Sequence, residues 1–211
     1  MKEFTYQVAD IEKEHGVSKG FYSNEFIIID NEIQNDISAD WDYKKAKICV
    51  VGILYLDTIK IFVAEEEDDK GFKQAVIDEI NKLGKLAYLF AFNNKMEMGN
   101  FEGDMDFDVP IREIKPFNAR GWNKDRFYNE LRKRNQIPDK KIIDIFDGDA
   151  GLCITNWEEY VKTDNFDLMM NVVSHNINCL LKESVILKHK HYFKKNWEIN
   201  ARGWLERERN D

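Results

Sequence analysis

The sequence predicts an α/β domain built on a mixed β-sheet with helices packed on its faces. Three observations carry this reading: a continuous β-branched run at Phe26–Ile29, two apolar segments joined by a tight turn at Asp57-Thr58, and a helix followed by a further strand beyond them. A short run that is apolar at every position suits a strand covered on both faces. Segments separated by a two-residue turn pair as a hairpin. Helix–strand alternation then adds strands and the helices that cover them. At 211 residues the chain fits one such domain with a sizeable core.

In chain order, a polar lead-in (1–25) precedes the Phe26–Ile29 strand. A longer strand from Ile48 to Tyr55 and its hairpin partner Ile59–Val63 follow. After an acidic loop, Glu65 to Asp69, the residues Phe72, Val76, Ile77, Ile80 and Leu83 recur at helical spacing, with Gly84 placed as a C′ glycine. Leu86–Phe92 reads as a strand ending at Asn93-Asn94. The stretch 99–121 holds two of the three prolines and reads as irregular; Asn123–Arg134 reads as a helix. Phe166, Met169, Val173, Ile177, Leu180 and Ser184 mark one face of a long helix, capped by Asp164 or Asn165. The expected layout is therefore a lead-in (1–25), one domain (26–187) and a basic and aromatic extension (188–211).

Composition is that of an ordinary globular chain, 43% hydrophobic and 33% charged. The longest apolar stretch, Ile48 to Leu56, is about half of what a membrane-spanning helix needs, so no membrane segment is expected. Met1-Lys2-Glu3-Phe4 is not followed by the apolar run of a signal peptide. Cys49, Cys153 and Cys179 are odd in number and form neither a CxxC pair nor a Cys/His ladder. Neither a disulfide framework nor a structural zinc site is indicated, and a reducing, cytoplasmic compartment is expected. The net charge of −8 is unevenly spread: between Arg112 and Lys141 ten basic residues stand against four acidic ones, and Lys188 to Lys195 is basic again. Such segments are either solvated helix faces or one positive face offered to a polyanion. Asn118-Ala119-Arg120-Gly121-Trp122 recurs as Asn200-Ala201-Arg202-Gly203-Trp204. Arg120 and Trp122 are candidates to meet phosphates and stack on bases; core tryptophans and coincidence are the plainer explanation.

The strongest chemical signal is Ile27-Ile28-Ile29-Asp30-Asn31-Glu32. Acids two positions apart on a strand project to the same face, and such a pair can hold hard divalent cations through oxygen. A strand ending this way is also an ordinary way to enter a loop.

A hydrophobic strand followed by D-x-E resembles the first motif of the DEDD-type 3′–5′ exonucleases in the ribonuclease H-like superfamily. The hairpin after it, the helix Phe72–Leu83 and the strand ending at Asn93-Asn94-Lys95-Met96-Glu97 arrive in that family's order. There a strand delivers an Asn and an acid follows four positions later, which here are Asn93 and Glu97, with Glu where Asp is usual. The segment Tyr160–Leu187 resembles the closing helix, including the Tyr-Asn-x-x-Asp form of the YprB-like branch, and reads His175-Asn176-Ile177-Asn178-Cys179. Cys179 and Leu180 stand where an acid is expected; Asn178 is the nearest oxygen ligand, and Glu183 lies more than a turn beyond. The resemblance implies phosphodiester hydrolysis with two Mg²⁺ or Mn²⁺ ions. It implies metal ligands Asp30, Glu32, Glu97 and Asn178, with His175 orienting or deprotonating the water. It further implies that Asn93 and Asn94 lie near a single-stranded DNA or RNA substrate.

Two other classes are open. Phe146-Asp147-Gly148-Asp149 is similar to a late acidic motif of haloacid dehalogenase phosphatases, but their second Asp is Glu32 here. A non-catalytic ribonuclease H-like module that binds nucleic acid or a protein partner fits the missing acid. No Gly-rich phosphate loop or nucleophile elbow is present.

Overall fold

In the computed structural model, which describes residues 1–15, 25–35, 42–114, 124–134, 136, 145, 146 and 149–189, the chain begins with β1 (Lys2–Gln7), α1 (Val8–His15) and β2 (Phe26–Ile33). A 3-10 turn (Tyr43–Lys45), β3 (Ile48–Tyr55), β4 (Thr58–Val63), α2 (Lys70–Gly84) and β5 (Tyr88–Ala91) follow. The last elements are α3 (Asn94–Met105), β6 (Ile111–Glu113), α4 (Lys124–Lys133), α5 (Ala150–Thr163) and α6 (Phe166–Lys188). The strands form one sheet in the order β1-β4-β3-β2-β5-β6. β2, β3 and β4 pair antiparallel, and β5 and β6 continue parallel to β2. This is the mixed α/β sheet that the sequence predicts, with the Asp30 strand in its interior between the hairpin and β5.

β2 is interior because it is apolar where it must be. Ile27, Ile28 and Ile29 are all buried, each contributing roughly 1.5–3 kcal/mol through removal from water. Asp30 pairs with Gly52 across the β2–β3 ladder, so both sit on the face that receives α6. A Cβ on Gly52 would lie 1.9 Å from Asn176 Oδ1 and 2.7 Å from Leu180 Cδ1. The glycine therefore lets α6 settle against the sheet beside Asp30. Asn31 points to the opposite face, where its amide is hydrogen bonded to that of Asn100 on α3 at 2.8 Å.

Local signals set the helices. Asp69 caps α2 by accepting from the Phe72 N–H at 2.9 Å, and Asn165 caps α6 by accepting from the Asp167 N–H at 3.1 Å. Asp164, left-handed at φ 54°, turns α5 into α6.

Four differences from the sequence expectation are informative. The lead-in contains β1, an edge strand paired antiparallel with β4, whose alternate residues are exposed; half-polar alternation made it look like a loop. The stretch read as irregular contains most of α3 and the short strand β6. Gly84 is the last residue of α2 and not a left-handed cap: Lys85 caps in the right-handed region, and Leu89 packs 3.3 Å from where a Gly84 Cβ would stand. A further helix, α5, anchors to the sheet through the Trp157 Nε1–H, which donates to the Ala64 carbonyl at 3.2 Å. Among the described residues no helix is long and apolar enough to cross a membrane.

Candidate active site

Asp30 and Glu32 leave β2 on the α6 face, and both are buried. A buried carboxylate is costly unless charge and hydrogen bonds compensate it, and α4 and α6 supply both. Lys124, the first residue of α4, places its Nζ 2.5 Å from Asp30 Oδ1 and 3.0 Å from Glu183 Oε1. Asn176 of α6 donates through Nδ2 to Asp30 Oδ2 at 3.0 Å, to the Asp30 carbonyl at 3.3 Å and to Glu32 Oε1 at 3.3 Å. The neighbouring Lys182 Nζ donates to Asp125 Oδ1 at 2.7 Å, tying α6 to α4.

Two further carboxylates join from the helices. Glu97 lies in the first turn of α3, 1% exposed, and Glu183 on α6 is 0% exposed. Burial pushes the Glu97 carboxyl up to about 8, with the Asp30 charge adding to it. Burial also raises Glu183 well above the usual range; Lys124 opposes the rise, while Asp30 and Glu97 reinforce it. Glu32 is pushed up to about 7 by burial and then by Asp30, against the attraction of His175 and Lys124. Burial works against the charge of Lys124, yet Asp30, Cys179, Glu183 and Glu32 hold its ammonium well above the ordinary lysine value. Carboxylates from β2, α3 and α6 thus feel one another's charge and that of one ammonium, which contacts Asp30 and Glu183 directly. Several carboxylates crowded together drive one another towards protonation.

The site is short of donors. Glu97 Oε2 and both Glu183 oxygens are buried without a hydrogen-bond donor, Glu183 Oε1 having only the ion pair to Lys124. A buried acceptor without a donor costs about 1–3 kcal/mol, and more when charged. Hard, oxygen-only ligands of this kind fit Mg²⁺ or Mn²⁺.

His175 lies on the same helix, buried, with Nε2 3.7 Å from Glu32 Oε1 and 3.6 Å from Cys179 Sγ. The Phe146 ring packs against it at 5.3 Å between centroids.

No protein-family model and no curated protein matches the chain. In three dimensions it is similar to the family B DNA polymerase from the hyperthermophilic archaeon Pyrobaculum calidifontis, with a TM-score of 0.52 at 10% sequence identity over 82% of this chain. The fold is ribonuclease H-like. At this identity the likeness concerns the fold alone, and the chain spans 25% of the polymerase chain.

On this ribonuclease H-like sheet, Asp30, Glu32 and His175 lie at the α6 side of β2, and the buried Glu97 carboxyl at the start of α3 feels the Asp30 charge. Asn178 is buried on α6, but two residues beyond Asn176 it stands about 200° round the helix from it. Asn93 occupies the N-cap position of α3 without a side-chain cap bond. The Asn94 amide donates to the Ile111 carbonyl at 3.0 Å, holding α3 to β6. Arg120, Trp122, both copies of the repeated pentapeptide and the Asp147-Gly148 part of the late acidic motif lie outside the described residues. The sequence assigned no site role to Lys124 or Asn176, and it offered Glu183 only as the first alternative for the missing fourth acid. Their signal was a polar Lys182-Glu183-Ser184 step inside an apolar helix, with Asn176 two turns before Glu183 on one stripe.

Proposed function

We propose that the chain is a divalent-metal-dependent nuclease, a 3′–5′ exonuclease of single-stranded nucleic acid similar in motif order to the YprB-like branch. The observation that carries this reading is that Glu97 and Glu183 are buried with oxygens that lack donors while sharing the charge field of Asp30, Glu32 and Lys124. Glu183 supplies the fourth acid, in the place that the motif pattern gave to Asn178. Bound Mg²⁺ or Mn²⁺ would supply a water of lowered pKa and charge to neutralise the leaving oxygen. Asp30, fixed by Asn176, holds the centre of the ligand set; Glu97 and Glu183 close it from α3 and α6. His175, 3.7 Å from Glu32, orients the attacking water and takes its proton. Lys124, whose side chain is one-fifth exposed, releases Asp30 and Glu183 and turns its ammonium to the substrate phosphate. Asn93, Arg120 and Trp122 are the proposed substrate contacts. Three free, buried cysteines accord with a reducing, cytoplasmic setting.

The test is Mn²⁺ stabilisation of the native state together with cleavage of 5′-labelled single-stranded DNA and RNA. At a hundred times its dissociation constant the ion stabilises by about 2.7 kcal/mol. Asp30→Asn and Glu183→Gln abolish that gain and the cleavage. Equal stabilisation of wild type and both variants, or intact strands at every Mn²⁺ concentration, overturns the reading.

One observation favours a second reading. The Lys124 ammonium already compensates Asp30 and Glu183 at 2.5 and 3.0 Å, as a cation would in a non-catalytic module that binds nucleic acid or a protein partner. In that case wild type ignores Mn²⁺, whereas Lys124→Met binds it.

A further inference from the structure

We propose that Glu32, His175 and Cys179 form a second, softer metal site that takes Zn²⁺ through one oxygen, one nitrogen and one sulfur. It goes beyond the nuclease reading, with which it shares Glu32 and His175; Cys179 belongs to the soft site alone.

The ligands come from two rigid elements. Glu32 projects from β2, while His175 and Cys179 stand one turn apart on α6 and share a face. Their donor atoms all lie within 4.8 Å of one another. The 3.7 Å between His175 Nε2 and Glu32 Oε1 is too long for a hydrogen bond, yet it suits two ligands of one ion. Tetrahedral zinc with Zn–N of about 2.1 Å and Zn–S of about 2.3 Å separates nitrogen and sulfur by about 3.6 Å, and nitrogen and oxygen by about 3.4 Å. The nitrogen–sulfur separation here is 3.6 Å.

Charge and burial agree with that geometry. Glu32 is 7% exposed, and His175 and Cys179 are each 4% exposed, so an ion bound there must be neutralised locally. A carboxylate, a neutral imidazole and a thiolate carry two negative charges against the two positive charges of Zn²⁺; the thiol proton leaves to solvent on binding. A thiolate selects a soft ion and is a poor ligand for Mg²⁺, so the two sites differ in chemistry although they share a strand and a helix. The Cys153 thiol of α5 also interacts with the His175 ring, placing a second sulfur beside the site.

The probe is Co²⁺, the visible counterpart of Zn²⁺, titrated into the metal-free full chain. The expected spectrum is that of tetrahedral Co²⁺ with a thiolate-to-cobalt charge-transfer band, bleached by one equivalent of Zn²⁺. Cys179→Ser removes the charge-transfer band and lowers Zn²⁺ affinity by at least ~100-fold, while Asp30→Asn keeps both. A wild-type spectrum without the band overturns the proposal, and so does a band that survives in folded Cys179→Ser. If Cys179→Ser does not fold, the wild-type titration still decides. Failure of the nuclease reading is seen separately, in the response of Asp30→Asn to Mn²⁺, which involves no thiolate.

Discussion

The two ends of α3 carry buried carboxylates seven residues apart, and their surroundings are opposite. Asp104, its side chain 1% exposed, accepts from the Ile48 N–H at 3.0 Å and meets Lys47 and Lys73, each at 3.1 Å. Glu97, buried as well, has an oxygen with no donor and feels the charge of Asp30. Asp104 is joined to β3 and α2 as a structural rivet. Glu97 is held in a place that disfavours its charge. Burial of an acid therefore does not by itself set a residue apart in this molecule; burial without donors does, because it leaves a cost that a bound cation or proton would relieve.

Removing the rivet is expected to have the largest effect. Asp104→Ala leaves the buried Ile48 N–H without its acceptor and removes one partner from Lys47, which is half-exposed, and from Lys73, which keeps Asp68 at 2.6 Å, so urea denaturation of the variant should show a loss of ~2–4 kcal/mol. A loss below ~1 kcal/mol would place Asp104 with the strained acids and break the comparison.

Glu97 gives the next effect, and its sign is opposite. The folded state keeps the Glu97 proton up to about pH 8, against an unperturbed value of 4.5. Between those values the unfolded chain binds fewer protons, so metal-free stability falls as pH rises through that window, by at most about 1.4 kcal/mol per pH unit. Denaturation at pH 5 and pH 8 should show this fall in wild type and a flatter profile in Glu97→Gln. Identical slopes would mean that Glu97 has donors after all.

The smallest effect sharpens the comparison at the start of the same helix. Asn94→Ala removes one hydrogen bond to the Ile111 carbonyl and should cost about 1 kcal/mol with KM for an oligonucleotide unchanged. A raised KM at unchanged stability would make Asn94 a substrate contact.

The sheet was legible because each inner strand announces itself. Ile27–Ile29 are apolar at every position, as a strand covered on both faces must be, and the Asp57-Thr58 turn fixes the hairpin. β1 was not legible, since only Phe4 and Tyr6 of its six residues are apolar enough to pack inward. Asp30 and Glu32 were legible as two acids on one face after a continuous apolar run, and the strand carries them inside β2 rather than at its end. Glu183 was legible only as the next acid past the expected position, because α6 is buried on nearly every side from His175 to Ile186, which erases the amphipathic stripe that separates core from site. Lys124 was hidden among ten basic residues, as nothing local distinguishes an ammonium that will meet two carboxylates from one that will meet water. The Glu32, His175 and Cys179 cluster leaves no local cysteine or histidine ladder because it draws its side chains from β2 and α6, more than a hundred residues apart in sequence.

Gly52 offers no atom to any ligand, yet the calibration of both clusters depends on it. The depth at which α6 rests on β3 is set by the missing methyl group, and Asn176, His175, Cys179 and Glu183 all ride on that helix. A single substitution at position 52 would shift every one of these residues at once while leaving each chemically intact. The feature that makes position 52 blank in a catalogue of functional groups makes it the gauge block of the whole polar centre.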